Sequence, residues 1–393
     1  MATRRQKYRI YERKDGRLEI RETIDGVRKS FYGKTDNEVI AKYEEYKAQK
    51  HLFGTTFKEK QHFDEYMLQW LYTFKKRTLK PSSFNRLEIT VLKWVNPTIG
   101  HIPINKLTSV HIQELMIEAM YQQGLSASTI KKAYMAVNSA CKHGLGITFM
   151  FNPCDKVTLP SKHNFEKKDI RFLSDEQEIG SDGKVIPSEL ERFKTEALRK
   201  SKSVDAYAHR HGVSFVFILN TGLRSGEVRA LKWKDFDEKN NTIHVCREVV
   251  REFERDGDTK TEYSALQETT KTKSSNRYVP LNKTALWCLN EAKKMNQNKN
   301  EEDLIFFTGK GTVIGPSNYV RSFKSICKNA NIKDATVHSL RHTFATQLFV
   351  KGKDVKIVSD LLGHADTKIT SDIYIHVIDN QKAKAVLSLD EEI

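Results

Sequence analysis

The stretch of sequence that decides the fold is His-Ser-Leu-Arg-His-Thr-Phe-Ala-Thr at residues 338–346. His338 and Arg341 are three residues apart, so they share one face if the stretch is helical. Such a pair by itself is typical of an ordinary surface contact. Four further segments of the C-terminal half also hold reactive groups, and the five together outline a site. These segments are Thr221–Arg229, Lys271–Arg277, Leu361–His364 and Ile373–His376.

The five segments contain the side chains that phosphodiester exchange requires. Two guanidiniums can grip the oxygens of a phosphate and neutralise the charge that develops on it. A histidine can move a proton, and a lysine can protonate the leaving alkoxide. A tyrosine can attack phosphorus where cations stabilise its phenoxide, because its ordinary pKa is about 10. The candidate catalytic residues are Arg224, Lys271, His338, Arg341, His364 and Tyr374.

In their content and order, the five segments resemble the signature of the tyrosine recombinases, or phage-type integrases. The resemblance covers nearly the whole chain and is strongest in residues 170–393. It implies that Tyr374 attacks a DNA phosphate, forms a 3′-phosphotyrosyl link and releases a 5′-hydroxyl. Exchange with a partner duplex would then pass through a Holliday junction. No cofactor and no metal are implied, because the covalent link stores the phosphodiester energy and arginines supply the positive charge.

Two of the residue assignments leave alternatives open. Lys271 is our choice for the catalytic lysine, but Lys273 lies two residues away and would share its face in a strand. Glu227, three residues after Arg224, is expected to orient that arginine. The alternative for Glu227 is a solvent-exposed carboxylate on a helix.

The composition indicates a DNA-binding protein in a reducing compartment. Lys and Arg number 66 against 50 Asp and Glu, a formal net charge of +16, which favours a polyanionic partner. A basic soluble enzyme is the alternative. The five cysteines are scattered without a Cys-x-x-Cys pair, so neither a disulfide framework nor a zinc site is expected. No apolar run approaches the roughly 18 residues of a membrane span. We expect a bacterial cytoplasmic protein without membrane association.

The first 55 residues are expected to form a separate basic module. Three short strands, 7–13, 17–24 and 27–33, are separated by turn signals, and a helix follows from Asp36 to about Lys50. This module resembles the arm-type DNA-binding domain of integrases from temperate phages and conjugative transposons. The alternative is a charged cap on a larger domain.

The remainder of the chain predicts two further domains. Residues 56–160 have the pattern of about four amphipathic helices, and a polar linker occupies 161–172. Residues 173–393 are mixed, mainly helical, with a small antiparallel sheet around 242–251 and 277–281. The resemblance implies a core-binding (SAM-like) domain followed by the catalytic domain and a C-terminal tail. The predicted fold class is therefore multidomain α+β.

The expected function is site-specific recombination of double-stranded DNA that integrates or excises a phage or a conjugative transposon. The resemblance implies a homotetramer on core sites and arm sites, with an excision factor or a host DNA-bending protein as candidate further partners. The tail after residue 379 would dock on its own protomer or on a neighbour. A non-catalytic DNA-binding relative and a type IB topoisomerase-like enzyme are the alternatives. Retention of all six candidate side chains argues against the first, and the N-terminal module argues against the second.

Overall fold

The computed structural model divides the chain into two compact units, Met1–Lys167 (unit 1) and Lys168–Ile393 (unit 2). We describe each unit by itself. The residues that the structure describes, with the gaps between them, are 8–24, 27–53, 61–161, 165, 170–179, 185–202, 206–256, 259–268, 275–295, 300–364, 366–368 and 370–375.

Unit 1 begins with a three-stranded antiparallel sheet and one helix. The strands are β1 (Ile10–Glu12), β2 (Leu18–Ile24) and β3 (Val27–Gly33), in the spatial order β1-β2-β3, and α1 (Asp36–Phe53) follows. Alternate residues of the strands, such as Ile20 and Phe31, pack against Val39, Ile40 and Tyr43 of α1. This agrees with the predicted order of three strands and a helix, except that β1 is shorter than expected and Lys7 lies outside the described residues.

The rest of unit 1 is a bundle of four helices. Tight N-caps begin the last two, since Thr108 accepts a hydrogen bond from the His111 backbone N–H (3.4 Å) and Ser126 accepts one from Thr129 (3.3 Å). The first three helices each contain a π-helical turn. The helices are α2 (Phe63–Trp70, Leu71–Lys75 and Lys76–Thr78), α3 (Pro81–Thr90, Val91–Val95 and Asn96–Ile99), α4 (Ser109–His111, Ile112–Glu118 and Ala119–Gln122) and α5 (Ala127–His143).

Unit 2 is mainly helical with short antiparallel strands. Its helices are α6 (Glu189–Ala197), α7 (Gly212–Thr221), α8 (Ser225–Val228), α9 (Lys283–Met295), α10 (Pro316–Asn329), α11 (Val337–Val350) and α12 (Val355–Leu362). Its strands are β4 (Glu178–Ile179), β5 (Val185–Ile186), β6 (Phe236–Asp237), β7 (Thr242–Val245), β8 (Glu248–Asp256), β9 (Thr259–Gln267) and β10 (Arg277–Pro280). The α+β class predicted from the sequence is confirmed.

Helix α7 forms the centre of unit 2. It is apolar on every side, and residues 212–219 are all buried, as expected for a helix enclosed by others. Helices α6, α9 and α11 pack around it. Helix α7 ends at Gly222, and α11 lies against it. Residues just after α7, near 224, therefore lie close to residues of α11 near 341.

The sheet of unit 2 corrects one expectation. The predicted strand at 242–251 is broken near residue 246, and the polar interval after it forms the long hairpin β8–β9. The reason is that most of this hairpin has polar residues on both faces, so it lacks the apolar alternation that predicts a half-buried strand. The three-stranded sheet has the order β10-β7-β6. Within the described residues, no helix is long and apolar enough to cross a membrane.

Candidate active site

The site begins at the turn between α7 and α8. Gly222 ends α7 in the left-handed region with φ 65°, where a residue with a Cβ is strained. A Cβ there would also lie 2.4 Å from Cδ1 of Phe344. The chain then turns at Arg224, whose backbone N–H donates to Glu227 Oε2 (2.8 Å) and whose Nη1 donates to Glu227 Oε1 (2.7 Å). One carboxylate thus caps α8 and holds the Arg224 side chain.

Arg341 lies on α11 and is almost wholly buried, with 2% of its surface exposed. Its Nη1 donates to the carbonyl of Gly222 (2.8 Å) and its Nη2 to that of Leu362 (2.7 Å). Burial, together with the positive charge of Arg224, lowers the pKa of Arg341 to about 9. The guanidinium therefore remains charged at neutral pH. Within the described chain, all of its hydrogen-bond partners are backbone carbonyl oxygens.

The C-terminal end of α12 collects three guanidiniums. Arg277 Nε donates to the carbonyl of Leu361 (2.7 Å), Arg341 to that of Leu362, and Arg224 Nη2 to that of Gly363 (3.0 Å). The last carbonyls of a helix lack intrahelical partners and carry partial negative charge. Three consecutive carbonyls therefore bind and orient three cations at one point.

Glu227 supplies the balancing charge and is buried, with 2% exposed. Arg277 donates to both of its oxygens, Nη1 to Oε1 (3.2 Å) and Nη2 to Oε2 (3.1 Å). Burial by itself would raise the pKa of Glu227, but the charges and hydrogen bonds of Arg277, with Arg224 and Arg341, hold it below its usual value. Three arginines and one carboxylate leave two positive charges in excess. Such a pocket suits a phosphate whose negative charge grows in the transition state.

The three histidines of the site are neutral in the free protein. Burial, reinforced by Arg341 and Arg224, lowers the pKa of His364 to about 3, and its Nδ1 lies 2.7 Å from the hydroxyl of Thr370. His338 keeps an exposed edge, yet burial of much of its ring and the nearby cationic groups, among them Arg341 and Arg224, lower its pKa to about 4. The His338 and His342 rings meet edge to face with centroids 4.4 Å apart. A bound phosphate would favour protonation, so these imidazoles can accept a proton during the reaction.

Tyr374 is in the helical residues 370–375 and packs on a small core formed by α11 and α12. Its ring is half-buried and packs edge to face on Phe349 of α11, with centroids 5.3 Å apart. The same small core includes Val358 and Leu362 of α12. Within the described chain, the hydroxyl makes no hydrogen bond. The structure thus places the tyrosine ring on the two helices that carry Arg341 and the α12 carbonyls.

The geometry brings together Arg224, His338, Arg341 and His364, with Tyr374 on the adjoining core. Lys271 and its alternative Lys273 lie outside the described residues. Glu227 is buried between arginines, so the alternative of a solvent-exposed carboxylate is wrong. Sequence reasoning missed Arg277, because charge alone predicts an exposed side chain. Its position at the start of a predicted strand was the one available signal.

Among the described residues, one group of side chains outside this site has the chemistry of a metal site. Donor atoms of Asp235, His244 and Cys246 all lie within 4.8 Å of one another. Asp235, however, already pairs with the buried guanidinium of Arg247, and His244 Nε2 lies 2.7 Å from the amide oxygen of Asn276. Because a cation occupies the carboxylate, we assign no metal to this group.

Comparison with known proteins shows the family to which this chain belongs. The profile of the Phage integrase family matches residues 187–381, and that of the phage integrase N-terminal SAM-like domain matches residues 62–121. The chain is 30% identical over 381 residues to a XerC-like tyrosine recombinase of Caldanaerobacter subterraneus subsp. tengcongensis, covering 93% of this chain and 92% of the relative. The chain belongs to the tyrosine recombinase family. It is a tyrosine-type site-specific recombinase, which confirms the predicted enzyme class and general function.

Solved structures of tyrosine recombinases share this fold. The Tn1549 transposon integrase in complex with transposon right end DNA superposes with a TM-score of 0.60 at 21% identity, covering 82% of this chain and 98% of that one. A lambda integrase tetramer bound to a Holliday junction gives a TM-score of 0.54 at 15% identity, covering 93% and 94%. At these identities the likeness concerns the fold.

Proposed function

We propose that this recombinase cuts and rejoins DNA through a covalent link to Tyr374, and so integrates and excises a mobile element. The observation that carries the proposal is the convergence of Arg224, Arg341 and Arg277 on the end of α12, with Tyr374 packed on the same helices. A pocket with two excess positive charges is suited to a phosphodiester and to the more negative phosphorane that follows attack.

Each side chain has a role in the proposed reaction. Arg224 and Arg341 grip the non-bridging oxygens, and Tyr374 Oη attacks phosphorus. The bond from phosphorus to the 5′ oxygen breaks, and Lys271 donates the proton to that oxygen. His338 and His364 accept the tyrosine proton or donate to the phosphate oxygens. In the second step the 5′-hydroxyl of a partner duplex attacks the phosphotyrosine, which restores the phosphodiester and the tyrosine.

Residues 1–55 are proposed as the arm-type DNA-binding domain. The face of the sheet away from α1 carries Tyr11, Glu19 and Tyr32 in one cross-strand row. Arg21 lies over the Tyr11 ring (5.4 Å to the centroid) and Arg13 over Tyr32 (5.2 Å). Both arginines are partly exposed and can reach phosphates or base edges in a groove.

Residues 56–160 are proposed as the core-binding domain, 161–172 as a linker and 173–393 as the catalytic domain with its tail. Support for the helical bundle comes from its exposed cations at the ends of helices, which can contact phosphates. These cations are Lys76, Arg77, Lys80, Lys131 and Lys132. Binding through such contacts should weaken steeply with salt.

The proposed partners are double-stranded DNA, at core and arm sites, and three further copies of the chain. The transposon and phage integrases that share the fold support a mobile element and a tetramer on a Holliday junction. An excision factor or host bending protein, and a bacterial cytoplasmic location, belong to the same proposal. Residues 379–393, which would dock in cis or in trans, lie outside the described residues.

Covalent trapping tests the proposal. Nicked duplexes taken from the ends of the chain's own element would be incubated with wild type, Tyr374→Phe and Tyr278→Phe, without magnesium. Tyr278 is an exposed control that stacks on His244 (4.5 Å between centroids). We expect a protease-sensitive DNA adduct with wild type and Tyr278→Phe, and none with Tyr374→Phe.

Three other results would oppose it. An adduct that survives Tyr374→Phe would show that the nucleophile is another residue. Specific binding without any adduct, in the presence of an extract of the host, would favour a non-catalytic relative. Relaxation of supercoils without joining of two defined sites would favour the topoisomerase-like alternative.

A further inference from the structure

Arg277 and Arg224 both contact Glu227, but they differ in how far they are exposed and in how many protein partners they have. Only 8% of its side chain is exposed, against 33% for Arg224. All three nitrogens of its guanidinium donate to protein oxygens, those of Leu361, Ser275 and Glu227. Arg224, by contrast, makes no hydrogen bond through Nε within the described chain. Arg224 is therefore open to a phosphate, while Arg277 is committed to the protein.

We propose that Arg277 is a positioning residue of DNA cleavage, which holds Glu227 and the end of α12 so that Arg224 keeps the orientation that grips the phosphate. This inference rests on the proposed function. The chain of contacts is direct, because Arg277 and Arg224 each contact the same two anchors. One anchor is the Glu227 carboxylate, and the other is the end of α12, where Arg277 donates to the carbonyl of Leu361 and Arg224 to that of Gly363.

Electrostatics give Arg277 a task that Arg224 cannot perform alone. A buried carboxylate with one cationic partner would bind that partner tightly and compete with the phosphate for it. With Arg277 bound to both carboxylate oxygens, Glu227 can guide Arg224 while a guanidinium edge remains open. Among the causes that lower the pKa of Glu227, the charge and hydrogen bonds of Arg277 rank first.

Loss of the Arg277 charge therefore has a distinctive signature. The charged groups that face Glu227 are Arg224 on its own turn, Arg277 on β10 and Arg341 on α11. Without Arg277, burial raises the pKa of Glu227 toward neutrality. If the ionised form is the one that orients Arg224, cleavage then falls as the pH is lowered from 9 to 6. Wild type and the variant share any pH dependence that comes from the histidines and Tyr374, so the decline is measured as the rate of the variant relative to that of wild type.

The experiment measures single-turnover adduct formation on saturating nicked duplexes from pH 6 to pH 9. We expect Arg277→Met to react about tenfold more slowly than wild type at pH 8, because a less firmly oriented Arg224 stabilises the transition state less. A tenfold change in rate corresponds to about 1.4 kcal/mol. A further decline should follow at lower pH. Arg277→Lys, which keeps the charge, should retain the wild-type pH profile. Glu227→Gln should be slower than wild type by the same factor at every pH, because it has no carboxylate to titrate at this position.

The double variant Arg277→Met with Glu227→Gln decides whether Arg277 acts through Glu227. We expect it to match Glu227→Gln alone within about twofold, because a residue that acts through another adds nothing once that partner is gone. Effects that multiply would overturn the proposal, as would a rate of Arg277→Met relative to wild type that does not change with pH. Should Arg277→Met fail to fold, Arg277→Gln takes its place in the same cycle.

Arg229→Gln is the control for loss of a buried arginine. Arg229 is 4% exposed, donates to the carbonyls of Ser225, Ile314 and Val249, and contacts no carboxylate in the described chain. Its variant should unfold at lower temperature without acquiring this decline at lower pH. If wild type forms no adduct, the proposed function has failed. If wild type reacts and the Arg277 variants keep its pH profile, only this inference has failed.

Discussion

Two regions of the molecule each contain a buried glutamate that pairs with arginines. In the N-terminal sheet, Glu19 is buried (2% exposed) and pairs with Arg21 (2.7 Å) and Arg13 (3.7 Å). In unit 2, the equally buried Glu227 pairs with Arg224 and Arg277. Each carboxylate is shared by two guanidiniums. The two regions differ in what else holds the arginines.

Backbone atoms hold the arginines of unit 2, while ring faces support those of the sheet. Arg13 and Arg21 are each 41% exposed and rest on tyrosines. Ring contacts permit sliding and rotation, whereas hydrogen bonds to helix-end carbonyls fix both distance and direction. A groove that varies in shape tolerates adjustable contacts, but phosphoryl transfer requires the cations within a fraction of an ångström. If the proposed roles are correct, the comparison teaches that the anchor, more than the charge, distinguishes an arginine that binds DNA from one that takes part in the reaction.

The largest predicted effect comes from exchanging arginine for lysine in the two regions. Arg341→Lys keeps the charge but cannot bond both Gly222 and Leu362 in the same geometry. We expect the rate of adduct formation to fall about 10³-fold. Arg21→Lys should weaken binding of arm DNA only about threefold. Trapping gels on the full chain measure the rate of adduct formation, and binding titrations measure the affinity for arm DNA. Equal fold-losses for the two variants would contradict the distinction between the two regions.

The next effect is on stability, through one glycine in each region. Gly222→Ala combines a left-handed φ of 65° with a contact at 2.4 Å to Phe344, so we expect a loss of about 3 kcal/mol. Gly16→Ala has a similar φ of 77° but meets nothing within 4 Å, and should cost about 1 kcal/mol. Thermal and denaturant unfolding provide the values. Equal losses would show that the packing around Gly222 yields easily.

A smaller effect is predicted from neutralising the two shared carboxylates. Glu227→Gln should slow adduct formation about 30-fold with little change in DNA affinity, since it loosens an orientation that only the reaction needs. The hydrogen bond from Arg21 lowers the pKa of Glu19 to about 2, so Glu19 is ionised under all assay conditions. Glu19→Gln should change arm affinity about threefold and leave its salt dependence intact. A slower reaction for Glu19→Gln, together with a changed DNA affinity for Glu227→Gln, would contradict the roles that we propose for the two regions.

The smallest effect is a pH-dependent loss of stability that the buried histidines give to unit 2. Burial lowers the pKa of His364 to about 3 and that of His342 to about 4, below the unfolded value of about 6.5. Unfolded chains therefore bind more protons, and stability present above pH 6.5 is lost as the pH falls toward 4. Tm should drop about 2–4 °C for each kcal/mol lost. Hydrogen exchange at decreasing pH compares α11 and α12 with the reference helices α2 and α5. An equal loss of protection in all four helices would contradict this prediction.

The sequence was a good guide wherever a local pattern had a local consequence. Turn signals between apolar alternations predicted the three N-terminal strands, and helical periodicity predicted the four helices that follow them. It was a poor guide to the β8–β9 hairpin, whose strands lack an apolar face. It was also silent on the burial of Arg277, because an arginine has the same local propensities whether its partners are water or a helix end distant in sequence.

The chemistry of this protein was determined by its sequence alone. Arg224, His338, Arg341, His364 and Tyr374, in that order, already predict a tyrosine recombinase. Only the tertiary structure decided how these groups are held. The ends of α7 and α12 meet across α11, so that carbonyls of Gly222, Leu361, Leu362 and Gly363 orient three guanidiniums. Unpaired carbonyls at a helix end carry no sequence signature, since every residue has one and only packing selects their partners.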